Sequence, residues 1–266
     1  MVAVTVPVAA ILVTLAIMFA QYPLERTYSE ILNDGQPTVP SADIGTRQDT
    51  PPAPETELAA AAPGWRPARK LFTIESPSRT LAINSITNNP AHGDERSFFQ
   101  VKRLAAANSE YSNSVFLIPG ERYEGFVYFD NASTPRIFDG SPTSGVPGVP
   151  LVGARVRVAL PVKVAGGRDG GPGLRNAVVH VTAQNCSPGD VWASVVLGSQ
   201  APVRIRPVVN QTRLHTGRLP HSGIQLGDAL FYQPGQLIGS QGADGLVHPE
   251  AEDSGYVEFQ FVAEAI

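Results

Sequence analysis

Cysteine is nearly absent from this 266-residue chain: Cys186 stands alone. One thiol excludes an intramolecular disulfide and any cysteine-based zinc site. Lysine is almost as scarce, since among 20 basic residues only Lys70, Lys102 and Lys163 are lysines. Charged residues make up 17% and the formal net charge is −4, so there is no basic field to attract nucleic acid. Catalytic fingerprints are also missing. The chain has no G-x-S-x-G elbow, H-E-x-x-H pair, P-loop or dinucleotide-binding glycine pattern. Nothing in the residues calls for a cofactor or a metal, and an enzymatic role is not indicated.

Apolar residues, by contrast, reach 42%, too many for wholesale disorder, and 25 glycines and 24 prolines punctuate them. The first feature is Val2 to Ala20, 19 residues without a charge. As a helix this run spans about 28 Å, close to a hydrocarbon core of about 30 Å. Tyr22 comes next, where an aromatic would sit in the headgroup layer. A cleaved signal peptide would have a basic start and small residues before the cut. Here no Lys or Arg precedes the run, and Met18 occupies a position that should be small. The expectation is a retained transmembrane helix over 1–22, giving a single-pass protein of the cell membrane. Arg26, the first basic residue, votes weakly for a cytoplasmic carboxyl side. The acid-rich flank and the kind of domain beyond it favour an extracytoplasmic one.

Residues 23–70 read as a tether. Pro37, Pro40, Pro51, Pro52, Pro54, Pro63 and Pro67 remove donors and fix φ, which blocks regular structure. A disordered, partly polyproline II linker is expected.

From 71 to 266 the pattern changes to short β-favouring runs between turn residues. The runs are 81–86, 97–104, 123–130, 154–160, 176–182, 191–197, 203–209 and 255–263. In 123–130 apolar residues fall on both parities, as in a strand buried on both faces. Around 94–111 a helix capped by Asp94 competes with a strand at 97–104, and the strand is preferred. Residues 139–150 and 166–173 read as Gly/Pro-rich loops. Eight or nine strands without βαβ spacing predict an all-β domain, an antiparallel β-sandwich of Ig-like or jelly-roll-like kind.

Two of the strands alternate arginine with aliphatic residues. Arg155 and Arg157 share one face, opposite Val156 and Val158; Arg204 and Arg206 share another, opposite Val203 and Ile205. In one sheet, four guanidiniums would converge and mark an anion site. In separate sheets they are ordinary solvated faces. The triplet Asp94-Glu95-Arg96 reads as a loop held by an Arg–carboxylate pair. His180, His215 and His221 have no metal-ligand spacing.

Asn84-Ser-Ile-Thr-Asn-Asn-Pro90, Gly93-Asp-Glu-Arg-Ser-Phe98, Tyr128-Phe-Asp-Asn-Ala132 and Ser254-Gly-Tyr-Val-Glu-Phe259 carry a resemblance. So do Pro119-Gly120 with Tyr123 and Arg155-Val-Arg-Val-Ala-Leu-Pro161. Over about 80–263 the chain resembles a β-domain family of secreted or membrane-anchored proteins, mostly of GC-rich Gram-positive bacteria. That family has no assigned activity, so no residue role carries over. The resemblance implies an extracytoplasmic β-rich domain. The expected function is structural or interactive at the cell envelope, with an envelope polymer or surface protein as partner. Two alternatives stand: a carbohydrate-binding or carbohydrate-active module, which a carboxylate pair in a Trp- and Tyr-lined cleft would favour, and a cytoplasm-facing regulatory anchor. Oligomeric state is not legible.

Overall fold

The computed structural model describes residues 62–105, 110–133, 136–137, 146–167 and 171–266. The expected membrane segment 1–22, most of the expected linker and most of the 139–150 loop lie outside them. Among the described residues no helix is long and apolar enough to cross a membrane.

In chain order the strands begin with β1 (Gly64–Arg66), β2 (Phe99–Arg103), β3 (Ser114–Phe116), β4 (Arg122–Phe129), β5 (Arg136–Ile137), β6 (Val146–Pro147), β7 (Leu151–Val152) and β8 (Arg155–Ala159). They continue with β9 (Lys163–Val164), β10 (Gly173–Thr182), β11 (Asp190–Ser199), β12 (Val203–Pro207), β13 (Thr212–Thr216), β14 (Ile224–Leu226), β15 (Gln236–Leu237), β16 (Leu246–Val247) and β17 (Gly255–Ala265). The domain is all-β. One sheet runs β1-β11-β10-β8-β15, with β3 added in parallel along β11. The other runs β14-β13-β17-β12-β9, with β4 on β17 and β2 on β4. Every other pairing between these strands, among the described residues, is antiparallel.

β17 is the spine of the second sheet. β4 pairs along one of its edges; β13 and then β12 pair along the other. Its period of two sends Val257, Phe259 and Phe261 inward and leaves Tyr256, Glu258 and Gln260 on the outer face. Val156 and Val158 of β8, Val179 and Val181 of β10, and Val195 and Leu197 of β11 answer from the first sheet, and all belong to one core. Burying each such side chain contributes about 1.5–3 kcal/mol.

Two expectations need correction. The folded body starts before residue 71, because Gly64–Arg66 pair with Ser194, Ala193 and Trp192 of β11. Proline on either side restricts β1 to the edge and to three residues. The run 81–86 makes isolated bridges, Ile83 to Asn131 and Ile86 to Phe72, instead of a strand. Asn84 at φ +44 turns the chain there. Over 94–111 the preferred strand forms as β2, Phe99–Arg103, and Asp94 caps only a 3-10 turn, Glu95–Ser97, by accepting from the Arg96 N–H.

The seven-stranded sheet is covered on its outer face near β4. Phe126 and Tyr128 point outward yet are 7% and 2% exposed. The chain from Phe72 to Ser97 supplies part of the cover. His92 stacks on Tyr128 at 4.2 Å, and Asn84 Nδ2 donates to the Tyr128 carbonyl at 3.0 Å.

Candidate functional site

Between this cover and the segment 249–256 lies a cavity of about 370 Å³. Ile74, Pro77, Ile86, Pro90 and Ala132 wall it on one side, Pro249 and Ala251 on the other. Its polar lining includes Glu95, Asp130, Asn89, Tyr128 and Ser254, with Tyr256 and His215 from the exposed side of the sheet.

Each floor residue is placed by a backbone feature. The 3-10 turn aims Glu95 inward, where it is fully buried, while Asp94 and Arg96 pair outside. Glu95 Oε2 accepts from the Ile86 N–H at 2.9 Å and Oε1 from Asn89 Nδ2 at 2.8 Å. Asn89 Nδ2 also donates to Tyr128 Oη at 2.9 Å, so both its amide protons are used. Asp130 comes directly after the last residue of β4, and its own N–H donates to Asn84 Oδ1 at 2.7 Å.

Glu95 and Asp130 are hydrogen-bonded to each other through their side chains. Burial pushes the Glu95 carboxyl well above the ordinary range, and the nearby Asp130 charge pushes it further. Burial raises Asp130 to about 7, against the opposing pull of hydrogen bonds from Glu95 and the Asn131 backbone. Glu95 therefore keeps the shared proton, and Asp130 is the member that ionises near neutrality. Asp130 retains partial solvent access, whereas Glu95 has none. Burial likewise holds the Tyr128 hydroxyl neutral and lowers His92 to about 4, leaving its ring uncharged and Nε2 without a partner.

The far wall is fixed by Arg218. Its guanidinium reaches Glu250 Oε2 at 2.6 Å, Glu252 Oε2 at 3.0 Å and Asp253 Oδ1 at 3.2 Å. His215 stacks on Tyr256 with centroids 4.7 Å apart; neither ring nitrogen makes a hydrogen bond, although Nε2 lies 3.2 Å from Glu258 Oε2.

The four arginines that would mark an anion site if their strands shared one sheet are not gathered by strand pairing. β8 belongs to the six-stranded sheet and β12 to the seven-stranded one. Arg155 Nη1 donates to the Gly235 carbonyl at 2.8 Å, and Arg157 stands across from His180. Arg206 pairs with Glu264 at 2.8 Å, and Arg204 is exposed across from the same Glu264. The exposed Arg206 pair contributes about 0–1 kcal/mol. Sequence reasoning weighs Glu95 only within the Asp94-Glu95-Arg96 triplet and does not bring it together with Asp130. Glu95 lies in the stretch 93–98 and Asp130 in the stretch 128–132, and the two stretches meet at this pocket. Among the described residues no group of three or more His, Cys, Asp and Glu side chains is placed to hold a metal ion.

No family of known proteins, no curated protein and no solved structure matches this chain.

A carboxylic acid beside a carboxylate offers one donor and one acceptor at the same point.

Proposed function

We propose that the protein is a non-catalytic, membrane-anchored domain on the extracytoplasmic side, which holds an envelope component in the Glu95–Asp130 pocket. The buried carboxyl pair carries this reading. A desolvated acid–carboxylate pair costs stability, and a binding site is where such a cost is retained. The charge-free run Val2–Ala20 and the Pro-rich stretch after it support the anchored placement. Two sheets sharing one core support a sandwich of jelly-roll-like or Ig-like kind. A second reading, carbohydrate binding, is favoured by Tyr128 and Tyr256 beside the hydroxyls of Ser133, Thr216 and Ser254. A compartment-sensitive reporter fused after Ile266, in a bacterial host, is expected to report an extracytoplasmic carboxyl end. A cytoplasmic signal overturns the placement and favours a regulatory anchor.

A further inference from the structure

We infer that this pocket receives an organic ammonium group, a protonated amine on a short apolar body, with Asp130 as its counter-ion. The inference rests on the pocket being a binding site and names the chemistry bound there.

Charge distribution points to a cation. Three carboxyl groups line the cavity: Glu95, Asp130 and Glu250. Glu250 is already paired with Arg218 at 2.6 Å. Glu95 holds the shared proton and is saturated by Ile86 and Asn89. Asp130, once ionised, faces only neutral donors, the Glu95 hydroxyl and the Asn131 N–H. Among the described lining residues there is no Lys or Arg. The Arg69 charge acts on Glu95, but its guanidinium is committed to the Asn84 carbonyl at 2.6 Å and Ser85 Oγ at 3.1 Å. His215 turns Nε2 toward Glu258, and His92 is buried and neutral against Tyr128. The Tyr128 and Tyr256 phenols complete the titratable groups around the pocket. When Asp130 ionises, no Lys or Arg among the described lining residues is there to pair with it.

The walls fit the rest of such a ligand. Ile74, Pro77, Ile86 and Ala132 suit a methylene chain or a small ring. The Ser133 hydroxyl donates to Asn131 Oδ1 and keeps lone pairs that can accept an ammonium proton, and Tyr256 offers an aromatic ring. An anion would meet like charge. A neutral polyol would leave the Asp130 charge uncompensated in a desolvated site.

Binding must then be linked to a proton. Below about pH 7 the Asp130 proton has to leave before the ammonium pairs with it. The test uses the full chain in detergent micelles, with benzylamine, benzyl alcohol and methyl glucoside as probes in titration calorimetry. Benzylamine is expected to bind most tightly above pH 7, and about tenfold more weakly for each pH unit below it. Near pH 6 about one proton should be released per amine bound, read from buffers of different ionisation heat. Asp130→Asn should weaken the amine at least about tenfold at pH 8, while Arg206→Gln, outside the pocket lining, retains it. Equal binding of amine and alcohol without a pH slope overturns the ammonium inference and leaves the pocket as a binding site. Tighter binding of methyl glucoside than of benzylamine overturns it in favour of carbohydrate. Failure of all three probes overturns the inference and the pocket reading together.

Discussion

A carboxyl group moved from water into a desolvated pocket loses hydration whenever it is ionised, and at Asp130 that loss makes the stability of the fold depend on pH. Its ordinary value of 3.8 rises to about 7 in the fold. Below the ordinary value the group is protonated folded and unfolded alike, and no penalty exists. Between the two values the unfolded chain ionises while the folded one keeps its proton, so stability falls as pH rises. His92 works in the opposite sense. Burial lowers it from 6.5 to about 4, so its contribution is lost as pH falls through that window. The two offset each other in mild acid, and the carboxyl pair dominates toward neutral pH. Asp130→Asn removes the ionisable member and keeps an acceptor for Glu95. The variant should gain on the wild type progressively from about pH 4 to 7 and level off above that, at on the order of 2 kcal/mol after allowance for the partial solvent access of Asp130. Thermal melts of both proteins across that range check this. A gain of the same size at every pH would show that the pair imposes no ionisation cost.

Strand pairing decides what a residue meets, and Gly125 is the clearest case. It sits in β4 directly across from Phe259 of β17, and a Cβ built on it would lie 2.2 Å from Phe259 Cζ. The Phe259 ring packs edge-on to Phe231 at 5.6 Å and tilted to Phe99 at 6.2 Å, so it has neighbours wherever it is pushed. Gly125→Ala should therefore destabilise the domain by about 1–3 kcal/mol. Adding Phe259→Leu should recover part of that loss, and a denaturant midpoint series reads both. Neither partner advertises the other in the sequence. Strands with strong alternation are the legible ones. β8, β10, β12 and β17 coincide with runs of Val, Ile or aromatic residues at period two, and β4 and β11 with denser runs that are apolar on both parities. β13 escapes such a reading because Thr-Arg-Leu-His-Thr has one aliphatic residue; its buried positions are filled by Thr212, His215 and Thr216, which read as polar. β1 escapes it because its partner is distant β11 and its neighbours are prolines. The pocket is hidden for a similar reason. Glu95 and Asp130 meet only because the cover folds back over the outer face of the sheet, and no period encodes that return.

For the whole molecule, the decisive question is where the folded body begins, because that point links anything before it to the pocket. Gly64 N donates to Ser194 Oγ at 3.0 Å, and Trp65 packs against the main core. The Arg96 guanidinium lies over the Trp65 ring at 4.4 Å, and Arg69 stands 5.7 Å from it. Arg96 belongs to the same 3-10 turn that aims Glu95 inward. The entry strand thus holds the turn from which the carboxyl pair is built. Removing β1 would expose Trp192–Ser194 of β11 as an unpaired edge and leave the Arg96 side without its aromatic partner. A chain shortened to begin at Ala62 should melt cooperatively with a β-dominated spectrum. One beginning at Lys70 should still fold around the common core, but be less stable by about 2 kcal/mol, with a greater tendency to associate through the β11 edge. Trp65→Ala in the longer chain should reproduce part of that loss without the association, since the β1 backbone pairing survives. Equal melting temperatures for the two shortened chains would mean that β1 only rests on the sheet, and that the body is complete from residue 70.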